Sequence, residues 1–411
     1  MGAYQGRLAC PRCLTDVQED NAFRGCPSCR REDLAVNVHP VYQLDGVSLE
    51  VDQSAQGVFG YRSLLPLRED TAPVSLGEGS TPLIHLRDLG ERIGLGRLYV
   101  KDETQNPTWS YKDRLAAVAV SHARGAGADT VVVATTGNHG AAVAAYAAAA
   151  GLRCVALTLE SVPSTMKVLM QVYGAEVVAL ASGPERWTLM RKAVEEFGWT
   201  PMSGLADPPV GSNPFGIDGY KTIAYELITQ LERTPDVVVV PTAYGDGLAG
   251  ICRGFDDLRE LGEIETVPRM VAAEALGPYS ASLASESETP VSVSARPSVA
   301  FSIASPVATY QGIRAIRDTG GTSVVVNEDA KILAGQSQLA SAGLYVEASA
   351  AIFLPAVTEL AAGGEIHRDD IVVCIATSSG LKDVDATAGT LPAVPSIAPD
   401  LDDLALAIGE I

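Results

Sequence analysis

The chain has 411 residues, which at about 150 residues per domain predicts two or three domains. Apolar residues make up 47% of the chain and charged residues 19%, a balance that is typical of a globular protein and excludes general disorder. The net charge of −20 disfavours binding to nucleic acid or to an anionic membrane surface. The first ten residues do not resemble a signal peptide, and the most apolar run is too short to cross a bilayer, so we expect a cytoplasmic protein.

Two Cys-x-x-Cys pairs lie near the start of the chain, Cys10 with Cys13 and Cys26 with Cys29. Four thiolates in two such pairs can bind one tetrahedral Zn²⁺ ion. Two disulfides are the alternative, which the reducing cytoplasm disfavours. We therefore predict a structural zinc ribbon over residues 1–36, without catalytic chemistry. Weak periodicity and three prolines predict an extended arm over residues 37–76.

From about residue 77 onward, apolar runs of strand length alternate with helix-length segments, which predicts an α/β protein with mostly parallel sheets. The expected strands are Leu98–Val100, Thr130–Ala134, Cys154–Leu159, Val177–Leu180, Val237–Val240, Met270–Ala273, Ser323–Val326 and Ile371–Ala376. The expected helices include Asp113–Arg124, Gly140–Ala150, Pro184–Phe197, Tyr220–Leu231, Leu248–Leu261 and Ser337–Leu360. The strands are free of charged residues, as in sheets that are buried on both faces. They are too many for one small sheet, so we expect two domains around a cofactor cleft.

Later segments lack this alternation. Residues 277–300 are rich in Ser and predict a long loop that is either disordered or a mobile cover. Residues 386–399 are rich in Pro and predict a linker. The linker and tail, residues 386–411, end in a short amphipathic helix from Leu401 that we expect to dock on the body or on a partner.

Lys112 is the first residue that points to chemistry, because it follows a strand and the turn at Asn106. Ser110 is the expected N-cap of the helix that begins near Lys112. The positive end of that helix and the nearby Arg114 disfavour an ammonium group, which suits a lysine that forms a Schiff base. On this motif alone, a solvated surface lysine remains the alternative.

Three more groups of small or polar residues follow Val-rich strands. Residues 134–142 place hydroxyls, an amide and backbone N–H groups at a helix start, which predicts an anion site that fits an amino-acid carboxylate. Within it, His139 is more typical of a packed residue than of a base. Residues 240–250 contain glycines that allow the backbone to approach a phosphate. Residues 374–383 end a late strand with three hydroxyls. Each group alone also fits an ordinary strand-to-helix turn.

Together and in this order, the four groups resemble the threonine synthase family of fold-type II pyridoxal 5'-phosphate (PLP) enzymes. Residues 77–82, Gly-Glu-Gly-Ser-Thr-Pro, and residues 347–351, Glu-Ala-Ser-Ala-Ala, are also similar to motifs of this family. The resemblance implies a tryptophan synthase β-like α/β fold of two domains. The larger, PLP-binding domain would comprise residues 77–115 and 206–385, and the smaller would comprise residues 116–205. An N-terminal zinc ribbon also occurs in some relatives.

The resemblance assigns roles to individual residues. Lys112 would bind PLP covalently and then transfer protons, and Asn138 would hydrogen-bond the oxygen on the PLP ring. The PLP phosphate would be bound by Ala243, Tyr244, Gly245, Asp246 and Gly247. The substrate would be bound by Thr81, Thr135, Thr136 and Asn138. Thr377 would face the pyridine nitrogen of PLP. A neutral hydroxyl there stabilises a protonated ring less than a carboxylate does, which reduces the electron-withdrawing strength of the ring. The Asp246 carboxylate would point away from the phosphate while its N–H points in.

One stretch departs from the family. Residues 210–222 are similar to Asn-Ser-x-Asn-Pro-x-Arg-x-Glu-Gly-x-Lys-Thr, whose first Asn, Ser and Arg hold the phosphate of O-phosphohomoserine. Val210, Gly211 and Gly216 occupy these three positions here. The glycines suggest room for a bulkier or less charged group, unless Arg114 or the 277–300 loop supplies a compensating cation.

The expected function is therefore PLP-dependent elimination or replacement on an amino acid with a β- or γ-leaving group other than O-phosphohomoserine. The alternatives are an authentic threonine synthase, a threonine or serine ammonia-lyase of the same fold, and a zinc-ribbon scaffold without activity. The expected partner is a small amino-acid substrate, and a homodimer remains open.

Overall fold

The fold is taken from a computed structural model that describes residues 3–205, 208–285 and 287–409. In these ranges the strands form three sheets, of three, six and four strands. A small antiparallel sheet belongs to the N-terminal region, and the two larger sheets are almost entirely parallel.

The N-terminal sheet consists of Asp16–Val17, Tyr4–Ala9 and His39–Tyr42, with Tyr4–Ala9 in the centre. The short helix Pro27–Arg30 carries the second cysteine pair. His39–Tyr42 was expected to belong to an extended arm, but it pairs with the ribbon strand and completes this sheet. The rest of the arm contains the 3-10 helix Gly57–Leu64, whose Phe59 and Leu64 are buried in the main core.

The six-stranded sheet has a parallel body and one antiparallel edge. In spatial order its strands are Thr322–Val325, Arg269–Glu274, Val237–Pro241, Ile371–Ala376, Arg97–Asp102 and Leu83–His85. The two central strands are completely buried, as their runs of Val and Ile predict. Helices that accompany this sheet are Arg87–Arg92, Pro214–Ile217, Lys221–Leu231, Asp246–Glu260, Pro278–Ala284, Tyr310–Asp318, Asp329–Ser341, Ala348–Ala351 and Phe353–Ala362.

The four-stranded parallel sheet has the order Glu176–Leu180, Arg153–Leu159, Thr130–Ala134 and Thr200–Pro201. Its accompanying helices are Lys112–Gly125, Asn138–Ala150, Ser164–Val172 and Gly183–Phe197. Glu176–Leu180 differs from the expectation of burial on both faces, because it is an edge strand whose residues are exposed or half-buried. Short 3-10 helices lie at Glu19–Arg24, Glu103–Gln105, Asp218–Tyr220, Phe301–Ile303 and Gly380–Lys382.

The single helix expected over Ser337–Leu360 is wrong. The chain leaves the helix after Ser341, and Gly343 adopts a φ of +85°, a conformation that favours glycine. Val346 then pairs with Ser379 in an isolated β-bridge before the next helix begins at Ala348. This break brings Glu347 to the cavity described below.

The 277–300 segment also differs from a loop without structure, because it opens with the helix Pro278–Ala284. Arg317 fixes the end of this helix by donating to the carbonyl oxygens of Ser282 and Ser285, each at 2.8 Å. Residues 389–399 are exposed and carry no regular element, as expected of a linker, after a short helix Val384–Ala388.

The expected C-terminal helix is present as Leu401–Ile408, but none of its residues is buried, so the described chain does not show it docked. Glu410 and Ile411 lie outside the described residues. Among the helices that the structure describes, none has the length and apolar character that crossing a membrane requires.

The carboxyl ends of the parallel strands position the polar groups predicted from the sequence. Lys112 follows the strand that ends at Asp102, and Thr135 follows Thr130–Ala134. Thr242 and Thr377 follow the two central strands of the larger sheet. Since ligands of open α/β sheets bind beyond the carboxyl ends of strands, this arrangement places the candidate site between the two sheets.

Candidate active site

A cavity of about 700 Å³ lies where these loops meet, and residues from both parallel sheets line it. Nearly all the residues expected to bind cofactor or substrate line this cavity: Lys112, Thr135, Thr136, Asn138, Ala243, Tyr244, Gly245, Asp246, Gly247 and Thr377. Thr81 is the exception.

Lys112 presents its amine to the cavity from the first turn of the helix Lys112–Gly125. Its backbone N–H donates to Ser110 Oγ at 3.3 Å, but the N-cap of this helix is Tyr111, which makes no side-chain cap, so the expectation that Ser110 is the N-cap is wrong. The amine Nζ lies 3.3 Å from Tyr111 Oη, and 4.5 Å and 5.5 Å from the ring centroids of Tyr111 and Tyr220. No ion pair to Lys112 occurs within residues 3–205, 208–285 and 287–409, so its amine is available to a ligand.

Thr81 and Arg114 belong to a buried ion network outside this cavity. Arg114 is fully buried and donates to Glu103 at 2.8 Å and to Glu226 at 2.6 Å. Thr81 Oγ1 donates to Glu103 at 2.6 Å and accepts from Arg114 Nη2 at 3.2 Å. The hydroxyl of Thr81 thus donates and accepts within this network, and Thr81 does not line the cavity in which we expect it to bind substrate. Arg114 is likewise unable to compensate for the missing phosphate-binding residues.

The loop before the helix Asn138–Ala150 is stabilised from within. Thr135 Oγ1 accepts the N–H groups of Gly137 and Gly140 at 3.0 and 2.9 Å. Asn138 Nδ2 donates to both oxygens of Glu347, at 3.0 and 3.1 Å, and Asn138 Oδ1 accepts from Ser378 Oγ at 3.2 Å. These bonds hold the amide of Asn138 in a single orientation at the cavity wall.

His139 and Thr136 extend the same wall. Burial lowers the pKa of His139 to about 3, so its ring is neutral, and its buried Nε2 has no hydrogen-bond partner within the described ranges. An unpartnered buried nitrogen beside a cavity indicates that a polar group belongs there. Thr136 is half-buried and also faces the cavity.

The glycine-rich loop leads directly into the fifteen-residue helix Asp246–Glu260. Gly245 is its N-cap, has a φ of +73° and leaves the first-turn N–H groups without a side-chain cap. A Cβ at Gly245 would meet Tyr279 Oη and would lie 3.0 Å from Gly312 Cα, so only glycine fits there. Asp246 Oδ1 accepts from Ser212 N at 3.0 Å and Gln311 Nε2 at 2.7 Å, which holds the carboxylate against these partners.

Thr377 connects the last strand to the lysine motif. Its side chain is almost fully buried at the cavity, and its carbonyl oxygen accepts from Tyr111 N at 3.0 Å. Ser110 and Ser378 form a β-bridge beside this contact. The fourth motif is therefore bound directly to the first, although they are far apart in the chain.

These groups fit PLP. The cofactor carries a carbonyl carbon for an amine, a phosphate for a helix start, and a ring whose nitrogen and oxygen need polar neighbours. Lys112, the uncapped turn at Gly245, Thr377 and Asn138 provide such groups around one cavity. The loop of residues 243–247, called the cradle at Gly245 below, has no room for a side chain at Gly245 itself.

Of the three positions that replace the family's phosphate-binding residues, only Gly211 lines the cavity, whereas Val210 and Gly216 do not. Val210 is buried beside Ala35. A Cβ at Gly216 would lie 2.9 Å from Leu115 O, and one at Gly211 would lie 2.5 Å from Asp246 Oδ1. The expectation that the glycines make room for a bulkier group is therefore wrong for Gly216, where the helix Lys112–Gly125 fills the space. At Gly211 the side chains of Gln311 and Asp246 fill the Cβ direction, although the backbone borders the cavity.

Sequence reasoning missed two arginines that line the cavity, Arg186 and Arg191. Arg296, which also lines it, belongs to the 277–300 loop that the sequence indicated as a source of a compensating cation. A signal for Arg186 was available, because Arg186, Met190 and Ala193 form the buried i, i+4, i+7 stripe of the helix Gly183–Phe197. An arginine in such a stripe needs a polar partner inside the protein.

The four N-terminal cysteines form a separate cluster. Their sulfur atoms all lie within 4.8 Å of one another, with Cys10 and Cys29 3.6 Å apart and Cys13 and Cys26 3.5 Å apart. A tetrahedral Zn²⁺ with bonds of about 2.3 Å to sulfur needs separations of this size. The donor set and spacing therefore fit a structural zinc ion.

Comparisons with known proteins agree with this geometry. A family model described as pyridoxal-phosphate dependent enzyme matches residues 74–378. The threonine synthase of Methanosarcina acetivorans is 32% identical over 387 residues, which cover 92% of each chain. That of Methanocaldococcus jannaschii is 32% identical over 338 residues, 80% of this chain and 82% of the relative.

Solved structures show the same fold. Maize serine racemase superposes with a TM-score of 0.65 at 20% identity, covering 75% of this chain and 91% of that structure. The processed threonine deaminase isoform 2 of Solanum lycopersicum gives a TM-score of 0.63 at 21% identity, covering 76% and 84%. The predicted family, fold class and PLP cofactor are thereby confirmed: the chain belongs to the pyridoxal-phosphate-dependent enzymes and is a lyase similar to threonine synthases.

Proposed function

We propose that the protein eliminates or replaces a leaving group at the β- or γ-carbon of an amino acid, with PLP bound covalently to Lys112. The observation that carries this proposal is the convergence of Lys112, the cradle at Gly245 and Thr377 on one cavity. Bound PLP supplies an electron sink that stabilises negative charge at the substrate α-carbon.

Each group of residues has a role in this proposal. The Lys112 amine binds the cofactor and later accepts and returns a proton, since it has no competing carboxylate partner among the described residues. The backbone N–H groups that follow Gly245 bind the cofactor phosphate at the helix start. The loop of Thr135, Thr136 and Asn138 binds the substrate α-carboxylate.

We further propose that the substrate is not O-phosphohomoserine. The guanidinium and the two polar side chains that would hold its phosphate are replaced by Val210, Gly211 and Gly216, none of which has a hydrogen-bonding side chain. Charge-assisted hydrogen bonds contribute about 1.5–3 kcal/mol each, so their loss weakens phosphate binding by orders of magnitude. The alternative of an authentic threonine synthase is favoured by the curated relatives, which bear that name at 32% identity.

Steady-state assays separate these alternatives. With O-phosphohomoserine, we expect kcat/KM for threonine formation below about 10⁴ M⁻¹s⁻¹, the low end for ordinary enzymes. A value above that limit would establish threonine synthase activity. Release of ammonia from threonine or serine would instead support the ammonia-lyase alternative.

The first prediction concerns the cofactor lysine. Borohydride reduction of the holoenzyme is expected to fix the cofactor on the peptide that contains Lys112, because that amine faces the cavity. Lys112→Ala should abolish turnover, whereas replacing the exposed Lys192 with Ala should not. Label on any other lysine, or full turnover by Lys112→Ala, would contradict the assignment.

We also propose that Cys10, Cys13, Cys26 and Cys29 bind a structural Zn²⁺. This requires reduced thiols, which agrees with a cytoplasmic location. The homodimer remains a prediction that light scattering of the purified protein would test.

A further inference from the structure

Arg186 places a buried positive charge at the wall of the cavity. The residue is 7% exposed and lies in the helix Gly183–Phe197. Its Nε donates to Gly183 O at 3.3 Å and its Nη1 to Thr135 O at 2.5 Å. These bonds fix the guanidinium beside the loop that is proposed to bind the substrate.

The guanidinium keeps free donors in this position. Nη2 carries two N–H groups, and within the described ranges neither has a protein acceptor. Two N–H groups on one nitrogen, with the remaining hydrogen of Nη1, form an edge that matches an oxyanion.

Among the described residues, other buried cations have a carboxylate that neutralises them, and Arg186 has none within ion-pair distance. Lys101 is paired with Glu226 at 2.6 Å and Lys221 with Asp257 at 2.6 Å. Lys382 has no ion pair within 4 Å, but the charges of Asp113 and Glu347 act on it. No carboxylate among the described residues pairs with Arg186. Since buried charges are normally paired, a ligand is the expected counterion.

The surrounding charges reinforce this expectation. Arg191 and Arg296 also line the cavity, and their side chains donate to the carbonyl oxygens of Leu205 and Ala275, respectively. Among the described residues that line the cavity, four carry a lysine or arginine side chain and two, Asp246 and Glu347, are acidic, in a chain whose net charge is −20. A positive cavity in a negative protein is suited to an anionic ligand.

We propose that Arg186 binds an oxyanion on the substrate side chain, so that the substrate is an amino acid with a second negatively charged group. The inference rests on the proposed function, in which the loop at Thr135 binds the α-carboxylate. The shared chemistry is a carboxylate or a phosphate, and the experiment distinguishes the two.

Isothermal titration of the holoenzyme with unreactive amino acids of equal chain length tests this inference. L-Norleucine, L-2-aminoadipate and L-2-amino-5-phosphonopentanoate end in a methyl, a carboxylate and a phosphonate, respectively. We expect at least one anionic analogue to bind about tenfold or more tightly than norleucine. Tighter binding of the carboxylate indicates a dicarboxylic substrate. Tighter binding of the phosphonate, which has the same length as O-phosphohomoserine, supports the role of Arg186 but contradicts the proposed exclusion of that substrate.

Variants identify the residue. Arg186→Met should remove the preference for the anionic analogue, Arg186→Lys should retain part of it, and Lys192→Gln, on the same helix but exposed, should leave it unchanged. If Arg186→Met does not fold, Arg186→Lys tests the inference alone. A preference reduced from that of the wild type supports it, and an unchanged preference contradicts it.

Three results would overturn the inference. The wild-type holoenzyme could bind all three analogues equally. Arg186→Met could weaken norleucine as much as the anionic analogue, which would assign Arg186 to the α-carboxylate. Loss of cofactor from folded Arg186→Met would assign it to the cofactor phosphate. These results are distinguishable from a failure of the proposed function, because borohydride labelling of Lys112 tests that function independently of Arg186.

Discussion

Asp246 is the first residue of the helix at the candidate phosphate site, and its carboxylate is buried there. Its side chain is 8% exposed, and burial raises its pKa to about 6 although Ser212 and Gln311 donate to it. In the unfolded chain an aspartate has a pKa near 3.9. The folded state therefore holds a proton over a pH range in which the unfolded state has released it.

The second prediction follows from this difference. Stability from the protonated Asp246 is fully present below about pH 4 and is lost as the pH rises to about 6. Asp246→Asn keeps the acceptor Oδ1 but does not titrate. Between pH 5 and pH 7.5, the free energy of unfolding of the wild type should fall relative to the variant by roughly 1–2 kcal/mol. Urea unfolding of the cofactor-free proteins measures this, and a constant difference would contradict it.

At the scale of single elements, the strands and most helices could be predicted because burial leaves a clear pattern. All eight expected strands are present within one or two residues at each end. The prediction of one long helix over 337–360 was wrong because apolar residues continue through the break at Gly343. Composition also does not show that Val346 pairs with Ser379. Long-range pairing of this kind also positions Glu347 on Asn138, which the motifs quoted from the sequence did not indicate.

The third prediction concerns the turn before the helix Asp246–Glu260. Gly245→Ala should destabilise the protein and lower its cofactor content, because a Cβ meets Tyr279 and the positive φ is unfavourable. Gly262 is the matched control, with a φ of +78° and no atom near its Cβ position. Gly262→Ala should cost only the conformational term of about 1–2 kcal/mol and keep its cofactor. Urea unfolding and cofactor absorbance distinguish the two. Equal effects would show that the cradle tolerates a methyl group.

At the scale of the whole molecule, the ribbon and the active-site cavity are in contact, which the sequence did not indicate. Leu205 N donates to Phe23 O at 2.8 Å, and Asn37 Nδ2 donates to Ser212 O at 3.2 Å. The rings of Phe23 and Phe215 lie 6.3 Å apart. Spacing rules predict the cysteines as metal ligands. The surface against which a small domain packs depends instead on side-chain shape, which leaves no periodic pattern in the sequence.

From this contact we expect the ribbon to influence substrate binding, since Gly211 and Ser212 line the cavity beside the segment that it contacts. The fourth prediction is that Cys29→Ser lowers bound zinc from about one equivalent to well below it. Because the loosened ribbon no longer supports Ser212, the binding of amino-acid analogues should weaken several-fold. The cofactor should remain, because Lys112 and the turn at Gly245 are held by other contacts.

Elemental analysis, cofactor absorbance and titration calorimetry on the same preparation measure these three quantities. Ser28→Ala, one residue away, is the matched control and should retain zinc and substrate affinity. If Cys29→Ser still binds a full equivalent of zinc, the ligand assignment is wrong. If it loses zinc while analogue binding is unchanged, the ribbon stabilises only its own fold and the contact through Asn37 does not position the cavity wall.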